Sequence, residues 1–251
     1  MKSIVKRIAV LLTACTMALP GFSQSREDNR PYNLQKAYEV LQNDHDEDQA
    51  LKLLSDQIKS TPDNVECWLL MCRIYRNQKE YGRAMSSVNE AIRVNKPKKS
   101  GFVNSTLYWW KSSVYDDMDN NEQEIEWLKK ALDAARKDNK ENVQNISFDL
   151  GQAYYEAKKY DESDAVYRQM VKEDETDQAA MTGLARNMIQ REDYPASYRT
   201  LLQVYDKKGE TNNAIDAAIE YVDKDSDPSW RLLINAGKKN LNYAVSICGS
   251  R

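Results

Sequence analysis

The sequence predicts an all-α protein in which helix–turn–helix hairpins stack side by side, and three observations carry that prediction. A window beginning at Val65 places bulky and small residues at helical spacing on two successive segments. The same pattern returns further along the chain, twice in succession at a 34-residue period. The composition is that of a globular chain, with 41% hydrophobic and 30% charged residues and only 8 Gly and 6 Pro in 251. The net charge of −3 and the absence of a basic segment exclude a nucleic-acid-binding surface. One His and four Cys leave little from which to build a zinc site, and no cofactor is expected.

The amino end reads as an address rather than a fold. Lys2, Lys6 and Arg7 precede an apolar run from Ile8 to Phe22, and Gly21 and Ser23 place small residues where a signal peptidase reads. Residues 1–23 are therefore expected to be a secretory signal peptide cleaved after Ser23, about five residues short of a comfortable membrane span. The protein would then work in the periplasm or outside the cell, with 24–30 a flexible leader to the folded part. An alternative lies in Leu12-Thr13-Ala14-Cys15, which resembles a lipoprotein lipobox. Acylation of Cys15 would tether the protein to the outer membrane, although the chain stays apolar after Cys15 where lipoproteins turn polar. The remaining cysteines are Cys67, Cys72 and Cys248, an odd number that makes no disulfide framework. Cys67 and Cys72 point in different directions from one helix, which disfavours a bridge; a link from either to Cys248 stays open.

The elements follow in order. Leu34 to Leu41, then Ala50, Leu53, Leu54 and Ile58, make a degenerate first hairpin closed by Thr61-Pro62-Asp63. The second is the most regular: Trp68, Met71, Cys72 and Tyr75 stripe its first helix, and Tyr81, Ala84, Val88 and Ala91 its second. A divergent third holds Tyr108, Ser112, Tyr115, Leu128 and Ala131. It lies 40 residues after the second and 39 before the fourth, the extra length falling in the polar stretches Asn95–Gly101 and Ala135–Glu141. The fourth carries Ser147, Leu150, Gly151, Tyr154, Tyr160, Ser163, Tyr167 and Met170. The fifth carries Met181, Leu184, Ala185, Met188, Tyr194, Ser197, Leu201 and Val204, with Pro195 in the first turn of its second helix. Asn213–Val222 and Ser229–Ala236 are helical by pattern, the register after Gly209 being ambiguous, and 224–251 read as a carboxy-terminal helical cap. Small residues such as Ala84 and Gly151 are expected to be wedged between helices, and one hairpin cannot bury both of its apolar sides without neighbours.

The spacing W-x2-M-C-x2-Y-x5-Y-x2-A-x3-V-x2-A from Trp68 to Ala91 closely resembles the tetratricopeptide repeat. The resemblance covers 31–223 and implies a right-handed superhelical α-solenoid of the exported bacterial type, non-enzymatic, binding a peptide or partner protein in a concave groove. It further implies that places 2, 5, 9, 12 and 13 of each first helix line that groove. In the second hairpin these are Glu66, Leu69, Arg73, Arg76 and Asn77, and in the third Thr106, Trp109, Ser113, Asp116 and Asp117. The fourth gives Asn145, Phe148, Gln152, Tyr155 and Glu156, and the fifth Ala179, Thr182, Arg186, Ile189 and Gln190. Trp109 and Phe148, neighbours at place 5 and flanked by Tyr155, are the expected aromatic anchors, with Arg nearby. Trp110 and Trp127 are assigned to neither core nor groove. The family's carboxylate-clamping subtype is set aside, since of its basic and Asn positions only Arg73 is matched.

Other chemistry is thin. His45 stands alone in a polar turn, which makes neither a triad nor a closed metal site. The run from Asp116 to Glu122 resembles a calcium loop but has Glu122 where that loop needs Gly and Leu128 where it needs Glu. The second functional class is a tethered outer-membrane assembly component, or a glycan-capture protein stacking sugars on Trp109 and Tyr155.

Overall fold

The computed structural model describes residues 30–191 together with positions 193, 196 and 200. The signal segment with Cys15, the leader up to 29, most of the fifth hairpin's second helix, Cys248 and the cap at 224–251 lie outside the described residues. Ten α-helices and no strand occur among the described residues. They are α1 Tyr32–Asn43, α2 Glu47–Ser60, α3 Val65–Asn77, α4 Tyr81–Val94, the single turn α5 Pro97–Ser100, α6 Asn104–Asp117, α7 Asn121–Asp138, α8 Val143–Glu156, α9 Tyr160–Glu173 and α10 Gln178–Gln190. A 3-10 turn, Lys140–Asn142, leads into α8. The chain divides into two compact units, one ending at Met118 and the other beginning at Asp119.

In the first unit, local chemistry starts the helices where the pattern requires. Asp46 caps α2 by accepting from the Gln49 amide, and Asn64 caps α3 by accepting from the Cys67 amide. Helix α3 then buries two sides at once. Cys67, Leu70, Met71 and Ile74 pack back onto Leu34, Ala37, Val40, Ala50 and Leu54 of the first hairpin. Val65, Leu69 and Cys72 pack instead with Ala84, Val88 and Ala91 of α4 and with Leu107, Trp110 and Val114 of α6. Ala84 is fully buried, as its small size requires, and Trp110 proves to be core. Half-buried Trp68 borders both clusters and donates its indole N–H to the Pro62 carbonyl at 3.0 Å.

The insertion after α4 is more than a polar swelling, contrary to expectation. The Asn95 amide donates to the Phe102 carbonyl and to Asn104 Oδ1, while Ser100 Oγ donates to Asn95 Oδ1. Gly101 supplies the left-handed turn (φ 72°) that ends α5. The result drives Phe102 into the same core as Trp110 and Leu107. The sequence hides this because one buried aromatic follows six polar or small residues.

In the second unit, α7 is capped by Asn120, which accepts from the Gln123 amide, and buries Ile125, Leu128, Ala131, Leu132 and Ala135. Tyr167 of α9 is fully buried, and its ring faces Gly151 of α8 and Gly183 of α10. A Cβ at either glycine would overlap that ring. Gly151 is buried as predicted, and Gly183, which no repeat place marks as small, is buried as well. Ser163 Oγ donates to the Gly151 carbonyl at 2.8 Å, closing α9 onto α8.

A second regularity lies in the turns. His45, Lys79, Asp119 and Lys158 all have positive φ, between 54° and 61°. They sit 34, 40 and 39 residues apart, at the same place in four successive repeats. A left-handed conformation costs a non-glycine residue about 1–2 kcal/mol, so the turn geometry is imposed by the packing of the flanking helices.

Gly82, by contrast, has nothing within 4 Å of a would-be Cβ. Gly82→Ala should therefore stabilise the chain by about 0.5–1 kcal/mol in urea denaturation, while Gly183→Ala and Gly151→Ala should each destabilise it by roughly 1–3 kcal/mol through overpacking. Equal, favourable effects at all three positions would show that Tyr167 is not confined.

Candidate functional site

The first-helix stripe can be followed residue by residue. On α3, Glu66, Leu69, Arg73 and Arg76 share one side through spacings of three and four. Leu69 does not line a groove: it is fully buried in the forward core. The reason is that its place points at the next hairpin's first helix rather than past it. Thr106 is likewise buried. Glu66 is nearly buried and is met from the first hairpin, its Oε1 accepting from Arg30 Nε at 2.6 Å and from the Tyr38 hydroxyl at 3.1 Å. Burial, and then the Glu66 charge, push the Tyr38 phenol pKa upward. Arg73 is half-buried and has no ion pair among the described residues.

Arg76 is half-buried, its side chain 25% exposed, and it donates through Nε to Asp117 Oδ2 on α6. Burial pulls the guanidinium pKa down, but the hydrogen bond and charge of Asp117 more than offset it, and the net shift is upward. Arg76 is thus a strut between successive first helices. Asn77 reaches back instead to the second helix of the first hairpin, donating to Glu47 Oε1 at 3.0 Å. Trp109 and Asp116 are half-buried, and Ser113 Oγ donates to the Trp109 carbonyl.

In the second unit, Phe148 is half-buried against Tyr167 (centroids 6.0 Å apart) and joins the core of Met170, Ala180 and Leu184. Part of its ring is therefore used in packing, and the rest stays accessible. Gln152 Oε1 accepts from the Tyr167 hydroxyl at 3.2 Å and from Arg186 Nη1 at 3.4 Å. Tyr155 is half-buried with its ring tilted against Tyr160 at 5.7 Å. Asn145, Glu156, Ala179 and Gln190 are exposed, Thr182 and Arg186 half-buried, and the Ile189 side chain is not described. Trp109 belongs to the first unit and Phe148 to the second.

Contacts between places of consecutive repeats leave only a faint trace in the sequence. Gln152 and Arg186 both occupy place 9, and a donor facing an acceptor at one place in consecutive repeats was the available signal. A second network joins Asn187, which is fully buried, to Ser163 and Asp164, with Arg191 bridging Asp164 and Asp161.

The remaining candidates have structural employment. His45 is exposed in its turn, its Nδ1 3.1 Å from the Leu41 carbonyl. Asp117 holds Arg76 and Asn120 caps α7, so the calcium-like run is divided between a strut and a cap. The thiols of Cys67 and Cys72 are free and buried, and burial pushes both pKa values up to about 12, the opposite of an activated nucleophile. Among the described residues no cluster of three His, Cys, Asp or Glu could hold a metal, and no helix is long and apolar enough to cross a membrane.

Helix hairpins, each burying two sides against its neighbours and carrying polar struts between first helices, define an α-solenoid repeat protein. The chain carries tetratricopeptide repeats, residues 105–138 and 145–177 matching the model of that family. The divergent third hairpin is thus one of the matched repeats, while the visually regular 65–95 window is not. No curated protein matches the chain. Among solved structures it is similar to a tetratricopeptide repeat protein from Parabacteroides merdae, with TM-score 0.61 and 18% identity over 85% of this chain and 77% of that one. It is also similar to PilW, described as a type IV pilus biogenesis factor (TM-score 0.59, 14% identity, 90% of this chain and 100% of that). A third is YrrB, described as having an unusual peptide-binding site (TM-score 0.55, 15% identity, 77% and 95%). At such identities the likeness is one of fold.

The Arg76–Asp117 strut can be measured by a double-mutant cycle. Arg76→Ala and Asp117→Ala should show a coupling of about 1 kcal/mol, between the values of exposed and buried pairs; a coupling indistinguishable from zero in urea denaturation would reduce the strut to a passive contact.

Proposed function

We propose that the chain is a non-enzymatic interaction scaffold that holds a peptide or partner protein on its first-helix face, and that it does so in the cell envelope. Tetratricopeptide repeats support the broad reading, a protein that binds protein. The finer reading rests on one observation: groove places of consecutive first helices touch, Arg76 at place 12 with Asp117 at place 13, and Gln152 with Arg186, both at place 9. Within each unit this makes the first helices one continuous surface. Arg73 and Trp109 in the first unit, and Tyr155 and Thr182 in the second, remain partly exposed on it. Aromatic and arginine side chains of this kind anchor partners because they combine large contact area with directed hydrogen bonds. Envelope location rests on the basic, then apolar, then small-residue pattern of residues 1–23.

Two experiments separate these claims. In pull-downs from envelope extract, an Arg73→Ala, Trp109→Ala variant should recover its partner roughly tenfold less well, about 1.4 kcal/mol of binding, with helical circular dichroism unchanged. An Arg93→Ala, Lys130→Ala variant on second helices should recover it normally; the reverse ranking would move the surface to the second helices. For export, amino-terminal sequencing of the secreted or periplasmic chain should begin at Gln24. A chain beginning at a lipidated Cys15 would make it a tethered lipoprotein, and an intact Met1 in the cytoplasm would overturn export.

A further inference from the structure

The contact at Glu66 has the makeup of a recognition site with its occupant in place. The Arg30 guanidinium meets the carboxylate edge-on through Nε at 2.6 Å, and its carbon lies 4.6 Å from the centroid of the Tyr38 ring. Tyr38 in turn donates its hydroxyl to the same carboxylate oxygen, fixing both walls relative to each other. The walls come from two repeats, Tyr38 from α1 and Glu66 from α3, whereas the occupant comes from the chain just ahead of α1. Arg30 and Glu66 are each about a tenth exposed in their side chains. Glu66 shares its side of α3 with Arg73, two turns on, which places the contact beside the proposed binding face.

We propose that Glu66 and Tyr38 form a guanidinium-binding subsite which Arg30 fills in the free chain, and that an arginine of a bound peptide enters it by displacing Arg30. The inference rests on the scaffold reading given above and names one chemical feature of the partner. The geometry selects arginine over lysine. A planar, weakly hydrated guanidinium can lie on a ring while its edge meets a carboxylate, whereas a compact ammonium holds its water more tightly and has no plane to stack. The exchange is one charge-assisted bond for another, so no buried charge is left unpaired at either end. Arg30, once released, exchanges its carboxylate for water.

The test vacates the site and offers the bare group. The Arg30→Ala full chain, titrated with ethylguanidinium and followed by the NMR signals of the Tyr38 ring, should saturate with a Kd of roughly millimolar order. The wild-type chain and an Arg30→Ala, Glu66→Gln chain should bind at least tenfold more weakly, and ethylammonium should produce no saturable change in any of them. If Arg30→Ala does not fold, Arg30→Lys, which keeps a cation beside Glu66, serves for the same titration, with ethylguanidinium expected to outcompete the lysine. Equal titration of the vacated and wild-type chains, indifference to Glu66→Gln, or an equal response to ethylammonium would overturn the subsite. Loss of the subsite with partner capture still dependent on Arg73 and Trp109 would leave the scaffold standing; loss of that dependence with the titration intact would do the opposite.

Discussion

In the second unit the phenol ring of Tyr167 lies in a slot with bare backbone on two sides, Gly151 of one repeat and Gly183 of the next. Much else follows from that slot. A large ring at this point buries enough apolar area to contribute about 2–3 kcal/mol, but only if both flanking helices lack a side chain there. The hydroxyl must also find a partner, which Gln152 supplies at 3.2 Å. Because Gln152 also accepts from Arg186, the buried ring is tied directly to the polar face. In the first unit the equivalent place is taken by Val88, smaller and fully buried, and there Cys72 stands where Gly151 stands in the second. Bulky-with-glycine and medium-with-cysteine are two solutions to one spacing problem.

The first-helix faces are therefore occupied by their own business before any partner arrives. Glu66 answers Arg30 and Tyr38, Arg76 answers Asp117, and Gln152 answers Tyr167 and Arg186. Such struts are shielded on one side by protein and on the other open to water, so each contributes little singly. Their combined effect is to fix the relative rotation of adjacent first helices, which apolar contacts alone specify loosely.

Hairpin boundaries, the small residues Ala84 and Gly151, and the two-sided burial of α3 were legible because each leaves a periodic trace. Place 5 misled. Leu69 and Phe148 share with Trp109 a place that the family gives to the groove, yet Leu69 is fully buried and Phe148 leans on Tyr167. Whether a place-5 residue reaches solvent depends on how closely the next first helix approaches, and that distance is set by residues in another repeat. Gly183 is hidden in the sequence for the same reason: its smallness answers a ring on α9, not a pattern on α10. Phe102 was hidden in an insertion without period. The left-handed residues Lys79 and Lys158 carry no compositional mark, because lysine is not one of the residues, Gly, Asn, Asp or His, that favour such a turn.

Where a place-5 residue is buried, as Leu69 is, specificity on these faces must come from the polar and charged residues of the other places, several of which, such as Glu66, Arg76 and Gln152, are already bonded. A partner group that replaces one end of a strut trades a protein–protein hydrogen bond for an equivalent one, and the net gain is small. A group that fails to replace it leaves a half-buried charge unsatisfied, at a cost of several kcal/mol where solvent is excluded. The asymmetry favours discrimination over raw affinity: a matching peptide is accepted at modest strength, and a mismatched one is rejected strongly. Affinity would then accumulate from several adjacent repeats, each contributing one such exchange, and from side chains such as Arg73 and Trp109 that keep part of their surface exposed.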